Sequence, residues 1–259
     1  MLPVVYMRKV AVACCSVLAF ASAALADEPD APEFQAAFGL SAGATTRAIE
    51  YVAAQGTRRL DTGLIPALGM RVQGQLQREY LQLTAAVTYQ TSLHGIAVQH
   101  TSDPYSQALH TPLRSQRFEA GILPAVRFNT SADSTSLGLF IGYSLRAFSS
   151  VAELGVPRYT LHGPVLRLEL ELPLFARLRL RLAPEAVAIV SMTHTLQEAA
   201  ASTPIFAAIG GEVSLRFAVA DWLEATVMYR ESRVQAGGRS VRGFSDRERF
   251  VLAGGHVVF

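Results

Sequence analysis

Residues 204–235, PIFAAIGGEVSLRFAVADWLEATVMYRESRVQ, decide how the chain is read. In the first arm Ile205, Ala207, Ile209, Gly211, Val213, Leu215, Phe217 and Val219 occupy alternate positions, and Gly210, Glu212, Ser214, Arg216 and Ala218 fall between them. After a turn at Ala220 and Asp221 the second arm sets Leu223, Ala225, Val227 and Tyr229 against Glu224, Thr226, Met228 and Arg230. Successive side chains of a strand point to opposite faces, so this is a hairpin of two long strands with one charge-free face.

The same period recurs along the chain. Phe34 to Thr46 carries Phe34, Ala36, Phe38, Leu40 and Ala42 on one face. From about Asp61 to Gln75, Leu64, Leu68, Met70 and Val72 oppose Arg71, Gln73 and Gln75; from about Glu79 to Thr91, Leu81, Leu83, Ala85, Val87 and Tyr89 oppose Gln82, Thr84, Ala86, Thr88 and Gln90. Ser92 to Arg114 reads as a long polar loop. Phe118, Ala120, Ile122, Val126 and Phe128 then face away from Arg117, Glu119, Gly121 and Arg127, and Leu137, Leu139, Ile141, Tyr143 and Leu145 away from Ser144 and Arg146. Leu166, Leu168, Leu170 and Leu172 alternate with Arg167, Glu169 and Glu171, and Leu178, Leu180 and Leu182 with Arg177, Arg179, Arg181 and Glu185. Arg247 to Phe259 makes a tenth strand. Tight turns and long polar connections take turns between them.

The chain has 259 residues, and its first 26 read as a secretory signal peptide: Arg8 and Lys9, an apolar run from Val10 to Ala23, and Ala24-Leu25-Ala26 before Asp27. The run is shorter than the roughly 20 apolar residues of a membrane helix. Cys14 and Cys15 sit at its start rather than its end, which disfavours lipidation, and both leave with it. Residues 27–33 are an acidic leader with Pro29 and Pro32, and 34–259 the strand-bearing domain. Taking Arg8 and Lys9 from 23 basic residues leaves 21 arginines against 21 acids and no lysine. No basic patch points to nucleic acid, and no cysteine remains for a disulfide or a metal site.

Alternation alone fits a soluble sandwich or a lipocalin-like barrel as well as a membrane barrel. Strand length favours the membrane, because these strands are about twice the usual five or six residues. So do the missing lysines and the aromatic residues near both ends of the apolar face: Phe34, Phe128, Phe217 and Phe259 at one, Tyr89, Phe118, Tyr143 and Tyr229 at the other. The predicted fold is an all-β antiparallel up-and-down transmembrane barrel of about ten strands. The last strand, with Gly254, Val257 and the terminal Phe259, resembles that of bacterial outer-membrane β-barrel proteins. That resemblance implies a place in the cell outer membrane, lipid around the barrel, and recognition of this strand by the barrel-assembly machinery.

So narrow a barrel has little room beside arginine side chains. A network of Arg167, Glu169, Glu171, Arg177, Arg179, Arg181, Glu185, Glu212, Arg216, Glu224 and Arg230 is expected to fill the lumen, with Glu171 opposite Arg177 and Glu169 opposite Arg179. Arg167 would then meet Arg181 and need a carboxylate such as Glu185, and either Arg216 meets Glu224 or Glu212 meets Arg230. A structural or surface-interaction barrel is the preferred reading; a narrow, weakly anion-preferring channel is the alternative. A third reading starts from His100 and Ser102, which resemble the H-x-S-N segment of outer-membrane lipid A deacylases and phospholipases, where histidine is the base and serine the nucleophile. Here Asp103 replaces the asparagine, and Arg114 stands where a third member is expected, with Glu119 a distant substitute. The separations of His94, His100, His110 and His194 match no metal motif. No cofactor is expected, and any extracellular ligand is unspecified.

Overall fold

A computed structural model describes residues 33–53, 56–93, 97–101, 113–131, 134–149, 159–194, 205–237 and 244–259. It contains thirteen strands: β1 (Glu33–Ala53), β2 (Gly56–Thr62), β3 (Ile65–Arg78), β4 (Leu81–Ser92), β5 (Ala97–Thr101), β6 (Arg114–Arg127), β7 (Ser136–Ser149), β8 (Tyr159–Phe175), β9 (Leu178–Ile189), β10 (Ser191–His194), β11 (Ile205–Ala220), β12 (Leu223–Gly237) and β13 (Phe244–Val258). Ten form a closed antiparallel ring in the order β1-β3-β4-β6-β7-β8-β9-β11-β12-β13, and β13 returns to β1 from Ala37–Val258 to Tyr51–Phe244. Closure pairs both edges of the sheet, as a span through lipid requires. The remaining three are short. β2 pairs with the upper part of β1 and with β5, and β10 pairs with β8. The predicted signal peptide, and the leader except Glu33, lie outside the described residues.

Three expected boundaries are corrected, and the first is that the last strand begins at Phe244 rather than Arg247. β1 continues past Thr46 to Ala53, and Ala97–Thr101, read as loop, is strand β5 paired with β2. A 21-residue strand exceeds the roughly 9–11 residues of a bilayer crossing. Part of it therefore stands clear of the membrane.

The outward face carries the apolar set. Leu168 is 47% and Val213 44% exposed, so neither is packed in an interior. At one rim Phe34, Phe128, Phe217 and Phe259 are exposed, joined by Tyr80, Phe175 and Trp222. Near the other, the tyrosine hydroxyls have polar partners: Gln116 Nε2 donates to Tyr89 at 2.8 Å, Tyr229 donates to Glu231 at 2.6 Å, and Tyr143 pairs with His162. An apolar ring with a polar tip suits a boundary between lipid and water.

Beyond the tyrosines the polarity of the two faces inverts while the period stays two. Inward positions become apolar, with Ile49, Phe148, Tyr159, Leu161, Val234 and Phe244 in one buried cluster. Outward positions become polar, as at Glu50, Arg233, Arg247 and Arg249. The solvent around the wall has changed from lipid to water, so this end of the barrel packs like a soluble protein.

The hairpin of residues 204–235 is β11–β12, with its turn at Asp221 and Trp222, one residue later than expected, and a bulge between Ala218 and Ala220. Between β8 and β9 the register differs from expectation by four residues. The turn lies at Ala176 and Arg177, after a bulge between Pro173 and Phe175, so Glu171 stands opposite Arg181 and Arg167 opposite Glu185. The shift comes from β8 running on to Phe175 before it turns, and the bulge changes the pairing by one residue; alternation reveals neither.

Candidate functional site: a lumen crossed twice

Among the described residues the barrel interior has three levels. Next to the rim that bears Phe259 is a polar vestibule of about 310 Å³, whose walls include Gln73, Gln75, Gln77, Gln82 and Glu224. Above it is a belt of ionised side chains, and above that the apolar cluster.

The belt centres on two carboxylates. Arg117 donates to Glu119 Oε1 through Nε at 2.8 Å and Nη2 at 2.5 Å, Arg167 Nη1 to Glu119 Oε2 at 3.0 Å, and Arg230 Nη2 to Oε1 at 2.7 Å. Glu185 accepts from Arg117 at 2.6 Å, from Arg146 at 3.2 Å, and from Arg230. Arg167 also donates to Glu169 at 2.9 Å and lies 4.3 Å from the centre of the Phe140 ring. These groups are almost wholly withdrawn from solvent. Ions so placed survive only when each is paired, because desolvating a lone charge costs several kcal/mol or more.

Geometry of the ring gives one contact special weight. β6 and β12 are five strands apart in a ring of ten, so Arg230 and Glu119 join diametrically opposite walls. A second crossing lies nearer the apolar cluster. Arg47 of β1 donates through Nη2 to the Tyr159 hydroxyl of β8 at 2.7 Å, again from opposite walls. Arg47 also donates to Asp246 through Nε at 2.8 Å and Nη2 at 2.5 Å, and through Nη1 to Ser115 at 2.6 Å and Glu248 at 3.2 Å. All five of its N–H groups are engaged. Tyr159 donates to Asp246 and Ser115 to Glu248, and the Phe148 ring lies 4.6 Å from the Arg47 guanidinium carbon.

The structure brings Arg167, Glu169, Arg181, Glu185, Glu212 and Arg230 together in the belt, with Arg181 donating to Glu212 at 3.1 Å. Glu171, Arg179 and Arg216 sit lower, with Glu171 3.1 Å from Arg179 and 3.5 Å from Arg216. Arg177 is not in the network: it occupies the β8–β9 turn and is exposed. In register Glu212 faces Arg230, while Glu224 faces Ala218 and Arg216 faces Thr226. Gly254 points inward, and Val257 and Phe259 outward; Phe259 N–H donates to the Ala36 carbonyl at 2.8 Å. The backbone of His100 lies on β5 opposite Arg59. Its side chain, like those of Ser102, Asp103, His94, His110 and His194, lies outside the described residues. Among the described residues no three His, Cys, Asp or Glu side chains group as metal ligands.

Sequence reasoning missed the Arg47 cluster because it ended the first strand at Thr46 and began the last at Arg247. The signal was present in residues 244–250, FSDRERF, where Phe244, Asp246, Glu248 and Phe250 keep the inward parity with apolar and charged types exchanged.

The protein adopts the fold of bacterial outer-membrane β-barrels. Among solved structures, the outer membrane protease OmpT from Escherichia coli superposes with a TM-score of 0.56 at 11% identity, over 89% of this chain and 98% of that one. Neisserial surface protein A aligns over 86% of this chain and 99% of its own at 13% identity, with a TM-score of 0.33. No known family model matches this outer-membrane-type barrel, and no curated protein is similar to it in sequence. These likenesses concern fold alone.

Proposed function

We propose that the protein is an integral outer-membrane barrel whose lumen is shut by its own side chains and whose role is structural or lies in surface contact. The observation that carries this reading is the pair of crossings, Arg230 to Glu119 and Arg47 to Tyr159, each linking opposite walls. A solute entering the vestibule would have to break several buried ion pairs and then pass the apolar cluster. The export signal at residues 1–26 directs the chain to the envelope, and the outward Val257 and Phe259, with Gly254, serve the assembly machinery. Conduction would be the mark of the narrow-channel alternative. Refolded protein in planar lipid bilayers is expected to show no steady open level above background; a reproducible open level would reject the closed lumen.

We read the protein as having no enzymatic activity. The extracellular stretch with His100 and Ser102 then acts only as a contact surface. Lipid A deacylase or phospholipase activity that disappears in Ser102→Ala would reverse this reading.

A further inference from the structure

The belt leaves several buried polar atoms unsatisfied; Arg117 Nη1 and Arg146 Nε lie apart, and the rest gather at one place. Arg47 engages every donor it has, yet Nε of Arg71, Arg181, Arg216 and Arg230, Oγ of Ser214, Oγ1 of Thr226 and Oε1 of Gln90 are buried with no hydrogen-bond partner among the described residues. Arg181 Nη2 lies 2.6 Å from Glu169 Oε1, misaligned for a hydrogen bond, and its Nη1 is held by Glu212. These groups share the wall of a cavity of about 50 Å³ between vestibule and belt.

The room comes from small residues on the facing wall. Thr226, Gly254, Ser41 and Gly69 follow one another across β12, β13, β1 and β3 in register. Beside them the His256 ring covers Gly39, where an added Cβ would come within 1.9 Å of it. A water needs roughly 10–15 Å³ of such space, so the cavity has room for an ion with a water or two. The guanidinium groups of Arg71, Arg181, Arg216 and Arg230, the Gln90 amide and two hydroxyls converge there, and Glu212, the carboxylate on this wall, is already held by Arg181. Gln90 can present either end of its amide, and the other unsatisfied groups can all donate; buried donors around a cavity make an anion site.

We infer that Arg71, Arg181, Arg216, Ser214 and Thr226 bind one small inorganic anion of halide size inside the barrel. The anion neutralises the arginine excess and locks β3, β9, β11 and β12 around it. The inference does not depend on whether the lumen conducts, because the test is crystallographic and thermal rather than electrical.

Crystals soaked in bromide are expected to show an anomalous peak within hydrogen-bond distance of Arg71 and Arg216. Thermal unfolding in detergent, followed by circular dichroism, should shift upward in sodium chloride relative to sodium gluconate at equal ionic strength. Thr226→Val and Ser214→Ala, which keep every arginine, should reduce that shift, and Arg71→Gln should abolish it. A cavity holding water only, or equal midpoints in the two salts, overturns the site. A chloride shift unchanged in all three variants overturns it as well.

Discussion

Arg230 on β12 and Glu119 on β6 belong to opposite walls of the ring, and they meet at 2.7 Å. A hydrogen bond between neighbouring strands only decorates a wall, whereas this one closes the space between walls. Glu119 is the common acceptor of Arg117, Arg167 and Arg230, so its charge holds three cations that water cannot reach.

Replacing Glu119 by Gln should therefore destabilise the barrel by about 3–5 kcal/mol, the usual cost of breaking a buried ion pair from one side. Urea unfolding in detergent measures it. A loss below about 1 kcal/mol, the scale of an exposed pair, would show that water enters the belt.

The two faces can be told apart with one substitution type. Val213→Arg places a charge among lipid-facing residues and should cost about 2–4 kcal/mol if near the bilayer midplane. Gln75→Arg, in the polar vestibule, should cost much less. Similar losses in refolding assays would refute the face assignment. Ser214→Arg, which alternation alone would rank as mild, should also be damaging, because Ser214 is buried beside Arg181 and Glu212, the nearby carboxylate, is already held by Arg181.

The β1–β13 seam gives a reciprocal test. Gly39→Ala would drive a Cβ into the His256 ring, and overpacking of this kind costs about 1–3 kcal/mol. Adding His256→Ala should recover most of the loss. At Gly43 the added Cβ would meet the Val251 carbonyl oxygen at 2.0 Å, so Gly43→Ala should not be recovered by truncating a neighbouring side chain. Equal rescue at both positions would contradict the packing.

Glu231 stands beyond the outer tyrosines, outside the membrane crossing. The Tyr229 hydroxyl, and then Arg247 and Arg249, hold its carboxyl below the ordinary range. A lowered folded value means that its contribution to stability is complete above the ordinary glutamate pKa and is lost as pH falls through the folded value. Tyr229→Phe should raise the Glu231 pKa toward the ordinary value, read by carbon NMR titration of the carboxyl group. An unchanged titration would mean that the hydroxyl is not its main partner. Salt should weaken the arginine part, since all these groups are partly exposed.

Period-two alternation by itself determined that the chain forms long two-faced strands, and tyrosine and phenylalanine placement showed where the outward face meets water. Glu212 and Arg230 could be named as possible partners because a hairpin confines them to a few registers. Which of those registers holds was a tertiary matter, settled by a bulge at Ala218; in β8 the register followed from the late turn after Phe175 together with the bulge after Pro173. The meeting of Arg230 with Glu119, and of Arg47 with Tyr159, was not legible at all, since it depends on ring closure and on which strands end up opposite. Alternation reports only that a side chain leaves one face of the sheet. What it meets across the lumen, and the level at which inside and outside exchange polarity, follow from the curvature of the closed sheet and from the height at which lipid gives way to water.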